Sequence, residues 1–318
     1  MKKKIYFGID LGGTTINIGP VTVDGQILEE RVINTNVASG PINAIERVAQ
    51  TINDLIKESY SDCEIVSVGI GVPGILDPKN GKIIEASNLP GWENFEISKE
   101  LGRRINIPVF IENDANLAAL GEQWLGAGAG SSDMFMFTLG SGVGGALITN
   151  GTLFSLNGVS GEFGHMIVNM EGPKCSCGRL GCVEAYFSKH GLKRITAEHL
   201  QFNPSSSLRG YEQDKITPQI ISHAALQGDV VAQEIYNEAS RALGIAISNI
   251  VNILGVHKIV IGGGIANAWP VFYGPLMDTI KETVFQTNVA KVKLVKAELG
   301  EKAGFIGAAR YAMQNVNP

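Results

Sequence analysis

Long uncharged apolar runs are missing from this sequence, and none reaches the ~18–20 residues that a membrane-spanning helix needs. An excess of basic charge is missing as well. The 26 Lys and Arg are outnumbered by 31 Asp and Glu, a net charge of −5, so there is no electrostatic footprint for nucleic acid. Cysteine is scarce: four in 318 residues do not make a disulfide scaffold. The G-x-x-x-x-G-K-[ST] pattern of a Walker A loop is absent. The opening Met1-Lys2-Lys3-Lys4 has the charge of a secretion signal. The apolar run behind it is cut by Asp10 before it reaches the ~7–15 residues such a signal requires. A cytoplasmic protein without a membrane segment is expected.

What the sequence has in surplus is glycine. There are 39, about 12% against a usual ~7%. They follow no collagen period and form no Gly/Ser linker, so they belong to particular backbone positions. The rest is ordinary for a globule, with 44% apolar and 18% charged residues, and the length suggests two domains.

Lys4–Asp10 reads as a buried strand, Leu11–Thr15 as a turn and Ile16–Val23 as a second strand. Asp24-Gly25 signals a type I′ hairpin leading into a third strand over Gln26–Val32. Apolar residues at 3/4 spacing from Ile42 to Ile56 predict a helix. Strands are expected at Ile65–Val72 and Ile107–Glu112, a hairpin turn at Asp77–Gly81 and a helix at Ala115–Leu125. At Met134 the opening pattern returns: strand Met134–Leu139, turn Gly140–Gly142, strand Val143–Thr149, an Asn150-Gly151 hairpin and a further strand from Thr152. This repetition points to a duplicated domain, the halves joined near Gly126–Gly130. Two helices split near Gly228-Asp229 are expected within Ile220–Leu254, a strand at Lys258–Gly264 and a terminal helix from Ala303.

Three constellations carry chemistry. Gly69-x-Gly71-x-x-Gly74 and Gly140-x-Gly142-x-x-Gly145 spell a dinucleotide fingerprint, but each is followed by a strand where the fingerprint demands a helix. What remains is a strand–turn–strand at Asp10-Leu-Gly12-Gly13-Thr14-Thr15 and another at Thr138-Leu-Gly140-Ser141-Gly142. Glycine lets backbone N–H groups approach phosphate oxygens, and short hydroxyls add donors. Asp10 suits a hydrated Mg²⁺. The second constellation is Glu112-Asn113-Asp114, between a strand end and a helix start. It reads either as an N-cap or as a carboxylate base at the sheet edge where open α/β sheets place ligands. The third is His165 followed by Cys175, Cys177 and Cys182, a donor set that suits a closed, structural tetrahedral zinc site. Glu162, His165 and Glu184 around it suit sugar hydroxyls. The fourth cysteine, Cys63, reads as a core residue.

Asp10-Leu-Gly-Gly-Thr-Thr15, Gly71-Val-Pro-Gly74, Asn88-Leu-Pro-Gly-Trp92, Glu112-Asn-Asp114, Gly140-Ser-Gly-Val-Gly-Gly145, Gly161-Glu-Phe-Gly-His165, Cys175-Ser-Cys-Gly-Arg-Leu-Gly-Cys-Val-Glu184 and Ile261-Gly-Gly-Gly264 run in order along the chain. Together they resemble the ROK family, and within it the bacterial glucokinases. The resemblance implies an α/β, two-domain actin-like ATPase fold of the sugar kinase/Hsp70/actin type, with duplicated ribonuclease-H-like domains and a central cleft. It places a small domain at 1–122 plus a returning helix at 303–318, and a large domain with the zinc loop at 123–302. It implies that Asp114 is the general base on the 6-hydroxyl of glucose, and that Asn88, Asn113, Glu162, His165 and Glu184 hold the other hydroxyls. Gly12–Thr14 and Gly140–Gly142 would bind the phosphates of Mg-ATP, and Gly262, Gly263 and Gly264 would lie near the adenosine. Zinc would be structural, with His165 serving both zinc and sugar, and the protein would form a homodimer or a higher homo-oligomer. Other hexoses (N-acetylmannosamine, fructose, mannose) and polyphosphate as donor remain open within this reading. A sugar-responsive regulator is the alternative of a different class. Regulators of this kind carry a DNA-binding module ahead of the Asp-Leu-Gly-Gly-Thr motif, which here begins at Asp10.

Overall fold

The computed structural model describes residues 2–86, 88–155 and 161–316. Two compact units divide the chain. The first comprises Met1–Ser132, Leu147–Ser160 and Glu298–Pro318, as far as these are described; the second comprises Asp133–Ala146 and Gly161–Ala297.

In the first unit the elements follow the order β1 (Lys4–Leu11), β2 (Thr15–Thr22), β3 (Arg31–Asn34), α1 (Gly40–Ser59), β4 (Glu64–Val72), β5 (Ile75–Asp77), β6 (Lys82–Glu85), α2 (Ile97–Ile105), β7 (Val109–Asn113) and α3 (Asp114–Leu125). Its sheet has the order β3-β2-β1-β4-β7. β1, β2 and β3 form an antiparallel meander, and β4 and β7 join parallel to β1. The alternation of β1 explains its two covers. Ile5, Phe7, Ile9 and Leu11 face a core shared with Ile45, Val48 and Ile52 of α1 and Leu101 of α2. Tyr6 faces the other way.

The chain continues through β8 (Met134–Leu139), β9 (Val143–Thr149), β10 (Thr152–Leu153), α4 (Glu184–Phe187), α5 (Lys189–Phe202), α6 (Pro218–Leu226), α7 (Val230–Leu254), β11 (Lys258–Gly262), α8 (Trp269–Thr283), α9 (Gln286–Val289), β12 (Lys293–Lys296) and α10 (Lys302–Val316). The second sheet has the order β10-β9-β8-β11-β12. That is the first sheet's order repeated strand for strand, with β11 parallel to both β8 and β12. The repeated glycine turns in the sequence are thus the β1–β2 and β8–β9 connections of two equivalent sheets.

The final helix, α10, belongs to the first unit. Phe305, Ile306, Ala309 and Met313 cover Tyr6 and Val21. The approach is backbone to backbone. A Cβ on Gly8 would lie 2.3 Å from the Phe305 carbonyl oxygen, one on Gly69 would lie 1.9 Å from that of Ala308, and one on Gly307 would lie 1.7 Å from that of Leu117. A glycine inside a helix costs ~1 kcal/mol in intrinsic propensity; here it lets α10 sit against α3.

Two sequence expectations shift. The third strand is Arg31–Asn34, not Gln26–Val32. Residues 26–28 do touch β2, through Thr22 N–H to the Gln26 carbonyl and Leu28 N–H to the Pro20 carbonyl, both at 3.0 Å. Pro20 has no N–H to offer, so a regular ladder fails there. The Asp24-Gly25 turn is not type I′, because only Gly25 has a positive φ (88°); Asn150-Gly151, positive at both residues, fits that type. The compact units divide at 132/133, 146/147, 160/161 and 297/298, and α3 runs unbroken to Leu125. Residues 317–318 of the expected returning helix lie outside the described residues.

Candidate active site

The three parallel strands β1, β4 and β7 end side by side, with Asp10 paired to Gly71 and Gly71 to Glu112. The next residues of β7 and α3 are Asn113 and Asp114. This is the carboxyl edge of the sheet, where α/β folds hold ligands. Asn113 is the N-cap of α3: its Oδ1 accepts from Ala115 N at 3.0 Å and Asn116 N at 3.4 Å. Its Nδ2 donates to the Gly74 carbonyl at 3.2 Å. The cap is therefore Asn113, and Asp114 is the first residue of the helix. Asp114 Oδ1 accepts from Ala115 N at 2.8 Å; its Oδ2 makes no hydrogen bond among the described residues. Burial raises the Asp114 pKa against the opposing pull of backbone N–H groups. Behind it, the buried Glu112 accepts from Asn113 N at 2.8 Å and from Asn116 Nδ2 at 2.9 Å.

Asp10 is its companion. Burial first, and then the charge of Asp114, push its pKa up to about 6. Space is kept around it by glycine. A Cβ on Gly71 would lie 3.7 Å from Asp10 Oδ1, and one on Gly304 would lie 3.4 Å from Asp10 Cγ. A carboxylate that resists ionisation, in a cradle that any side chain would fill, fits a hydrated divalent cation, which keeps several of its waters.

The Gly12–Thr14 turn lies at the end of β1. Gly12 N–H closes it onto the Thr15 carbonyl at 2.9 Å, which leaves the N–H groups of Gly13 and Thr14 without a backbone partner among the described residues. Thr15 opens β2. Asn88 is exposed, and its carbonyl oxygen would lie 2.9 Å from a Cβ on Gly13. An open groove of about 700 Å³ is lined by Gly13, Thr14, Asn34, Asn36 and Arg47 among others. Arg47, on α1, was not legible as a site residue in the sequence.

The second unit holds the remaining candidates. Gly140 N–H is bound within its own turn, to the Gly142 carbonyl at 2.9 Å. Val143 N–H is taken by Glu184 Oε2 at 3.0 Å. The donors left to a ligand in this turn are therefore those of Ser141 and Gly142, fewer than the glycine count suggests. Glu184 Oε1 accepts from Ser176 Oγ at 2.9 Å, so one carboxylate joins the cysteine loop to the glycine turn. A Cβ on Gly142 would lie 2.5 Å from Glu184 Oε2, which explains the second glycine of the motif. Thr138 pairs with Gly262 across β8 and β11. Gly263 has φ 84°, and a Cβ there would lie 2.3 Å from the Leu139 carbonyl oxygen, so it serves packing. Gly264 has nothing within 4 Å of a would-be Cβ and leaves open space.

The ligand atoms of His165, Cys175, Cys177 and Cys182 lie within 4.8 Å of one another. His165 Nδ1 is 3.5 Å from Cys175 Sγ, and Cys177 Sγ is 3.7 Å from Cys182 Sγ. Zn–S bonds of ~2.3 Å at tetrahedral angles place sulfurs ~3.8 Å apart, so the donor set fits zinc in kind and in spacing. The backbone N–H of Arg179 brings the Cys177 thiol down to about 7, while burial pushes Cys182 up to about 12. His165 Nε2 faces the exposed Glu162, 3.8 Å away. The ring thus turns one nitrogen to the thiols and the other to a carboxylate, the arrangement that fixes a ligating imidazole.

The ROK family model matches residues 6–315. This chain belongs to the ROK family. A glucokinase of Thermotoga maritima is 36% identical to this ROK protein, covering 99% of each chain. The ROK hexokinase of Thermus thermophilus is 29% identical with a TM-score of 0.83, over 98% of this chain and 99% of its own. A ROK family glucokinase from Streptomyces griseus, solved with glucose and AMPPNP, is 31% identical with a TM-score of 0.76, over 98% and 99%. The fold of this ROK protein is accordingly the actin-like, sugar-kinase type, built on two ribonuclease-H-like sheets.

Proposed function

We propose that this ROK protein is an ATP-dependent glucokinase that phosphorylates the 6-hydroxyl of glucose. The observation that carries the reading is Asp114: a half-buried carboxylate whose Oδ2 makes no hydrogen bond among the described residues, at the carboxyl edge of three parallel strands and beside Asp10. The likeness to glucokinases over the full chain supports it.

Phosphoryl transfer asks a protein mainly for positioning and charge neutralisation. Asp114 Oδ2 accepts the proton of the attacking hydroxyl. Burial strengthens it as an acceptor, because a carboxyl with a raised pKa holds a proton better. Asn88, Glu162, His165 and Glu184 hold the remaining hydroxyls, and Asn113 adds the N–H its cap leaves over. The turns at Gly12–Thr14 and Gly140–Gly142 take the phosphates, and Gly264 leaves room near the adenosine. Asp10 would hold a hydrated Mg²⁺, which would supply charge neutralisation for the transferred group. His165, Cys175, Cys177 and Cys182 would hold zinc, which would fix the loop that carries Ser176, a partner of Glu184. Cysteines without a disulfide among them suit a reducing cytoplasm, and the working assembly is a homodimer or a higher homo-oligomer.

A coupled assay over glucose, mannose, fructose and N-acetylmannosamine, with ATP and with polyphosphate, tests the reading. Glucose with ATP is expected to give the highest kcat/KM. Equal inactivity on every hexose overturns it. Asp114→Ala is expected to lower turnover by at least about a hundredfold while leaving sugar binding measurable.

A further inference from the structure

The Gly12–Thr14 turn is gripped from behind by a residue outside every motif. Thr35 follows β3 and is fully buried. Its Oγ1–H donates to the Gly12 carbonyl at 2.6 Å, and its backbone N–H donates to the Thr14 carbonyl at 2.8 Å. Both carbonyls of the turn are thereby drawn toward the protein interior. In a trans peptide plane the carbonyl of one residue and the N–H of the next point in opposite directions. Fixing the Gly12 carbonyl inward therefore aims the Gly13 N–H outward. Thr35 is itself held. Arg47 Nη2 donates to the Thr35 carbonyl at 2.6 Å and to the Asn34 carbonyl at 3.3 Å, and its Nη1 reaches Ser39 Oγ at 3.5 Å. Helix α1, the segment after β3 and the glycine turn form one hydrogen-bonded chain. Its last link is an N–H with no backbone partner among the described residues, and Gly13 lines the same groove as the Arg47 side chain.

We infer that Thr35, braced by Arg47, is the positioning residue that aims the Gly12–Thr14 turn at the phosphate chain of the nucleotide. The inference rests on the reading of that turn as a phosphate binder. Glycine at two successive positions gives the turn freedom to rotate its peptide planes, so an outside grip is required to keep one orientation. The grip comes from a side chain 23 residues away in sequence, and it acts on carbonyls, not on the ligand. Its loss is expected to weaken nucleotide binding and to spare the sugar.

Steady-state kinetics of Thr35→Val, Thr35→Ser and Arg47→Ala test this. Thr35→Val leaves the Gly12 carbonyl unmet, and its KM for ATP is expected to rise about tenfold, the factor one unmet buried acceptor implies, with the sugar KM within about twofold. Thr35→Ser keeps the hydroxyl and is expected to return the ATP KM to within about threefold of wild type. Arg47→Ala removes the brace together with a groove-lining cation and is expected to raise the ATP KM by at least about threefold; it reports on the clamp even where Thr35→Val fails to fold. An unchanged ATP KM in both Thr35→Val and Arg47→Ala overturns the inference. So does an equal rise in both substrates' KM, or a serine variant that behaves like valine. The Gly13 amide resonance of the wild type, followed by NMR on addition of a non-hydrolysable ATP analogue, separates the two readings. A shift there with kinetically silent variants defeats the clamp alone; no shift defeats the phosphate reading and the clamp with it.

Discussion

Replacing Asp10 with asparagine is expected to make the nucleotide-free protein more stable at neutral pH while abolishing efficient turnover. In the folded chain the carboxyl is raised from 3.8 to about 6, by burial and then by the charge of Asp114. The folded state therefore keeps a proton that the unfolded chain has already lost. Stability is fully present below the unfolded value near 4, declines as pH rises toward 6, and is level above it. A displacement of that size corresponds to about 3 kcal/mol between protonated and ionised folded chain. Asparagine carries no charge to desolvate, so its advantage over wild type opens between pH 4 and 6 and then stays constant. Urea unfolding of wild type and Asp10→Asn at half-unit steps from pH 4 to 8, in buffer without added Mg²⁺, reads this directly. Asp114→Asn supplies the internal check. Removing the second cause should move the midpoint of the wild-type decline to lower pH and leave the burial contribution behind. Stability profiles of wild type and Asp10→Asn that run parallel across the whole range would refute the reasoning, because they would show that Asp10 titrates alike in both states.

Other outcomes follow from single contacts. Glu122 is buried and accepts from Ala127 N at 2.8 Å, Glu298 N at 3.0 Å and Leu299 N at 2.7 Å; Glu122→Gln turns an NH₂ toward N–H donors and should cost about 2–4 kcal/mol in urea unfolding. Gly69→Ala places a Cβ 1.9 Å from the Ala308 carbonyl oxygen, so α10 must shift; a loss of about 3 kcal/mol is expected, and an unchanged urea midpoint would contradict the packing described. Purified protein should contain a single zinc per chain by elemental analysis. Stripping it with a chelator should expose Cys175, Cys177 and Cys182 to thiol reagents and lower the melting temperature. The acid limb of kcat/KM should report Asp114 and lie above the ordinary carboxylate range, because burial raises that group.

The sheet edges were legible in the sequence because glycine turns between apolar strands leave a local mark. Asp10 and the Gly140–Gly142 turn were picked out that way, Asp114 by the passage from a strand end to a helix start, and the two equivalent sheets followed from the repeated pattern. The Cys175–Cys182 spacing with His165 is local too. Thr35 was not legible: its role depends on the β2–β3 register, which pairs Thr15 with Asn34, and on carbonyls that carry no side-chain signature. The glycines were only half understood. Those at the turns were read as ligand loops, whereas Gly8, Gly69, Gly121 and Gly307 serve close contact among β1, β4, α3 and α10. Contacts between residues from 182 to 297 positions apart leave no periodicity to read. The same holds for Pro20, whose missing N–H ended a strand that alternation alone extended.

The return of α10 to the first unit sets an order of events at the ribosome. All of the second unit lies between Asp133 and Ala297, so every residue of it is synthesised before any of α10. The first unit's sheet, by contrast, waits with Tyr6, Val21 and the bare backbone of Gly8 and Gly69 uncovered until Phe305 and Met313 emerge. At ~5–20 residues per second, synthesis from the end of α3 to Phe305 lasts roughly ten to forty seconds. For that interval one face of the domain that carries Asp10 and Asp114 is an apolar surface without its lid helix, and the nascent chain, not the finished enzyme, is the form most in need of a chaperone.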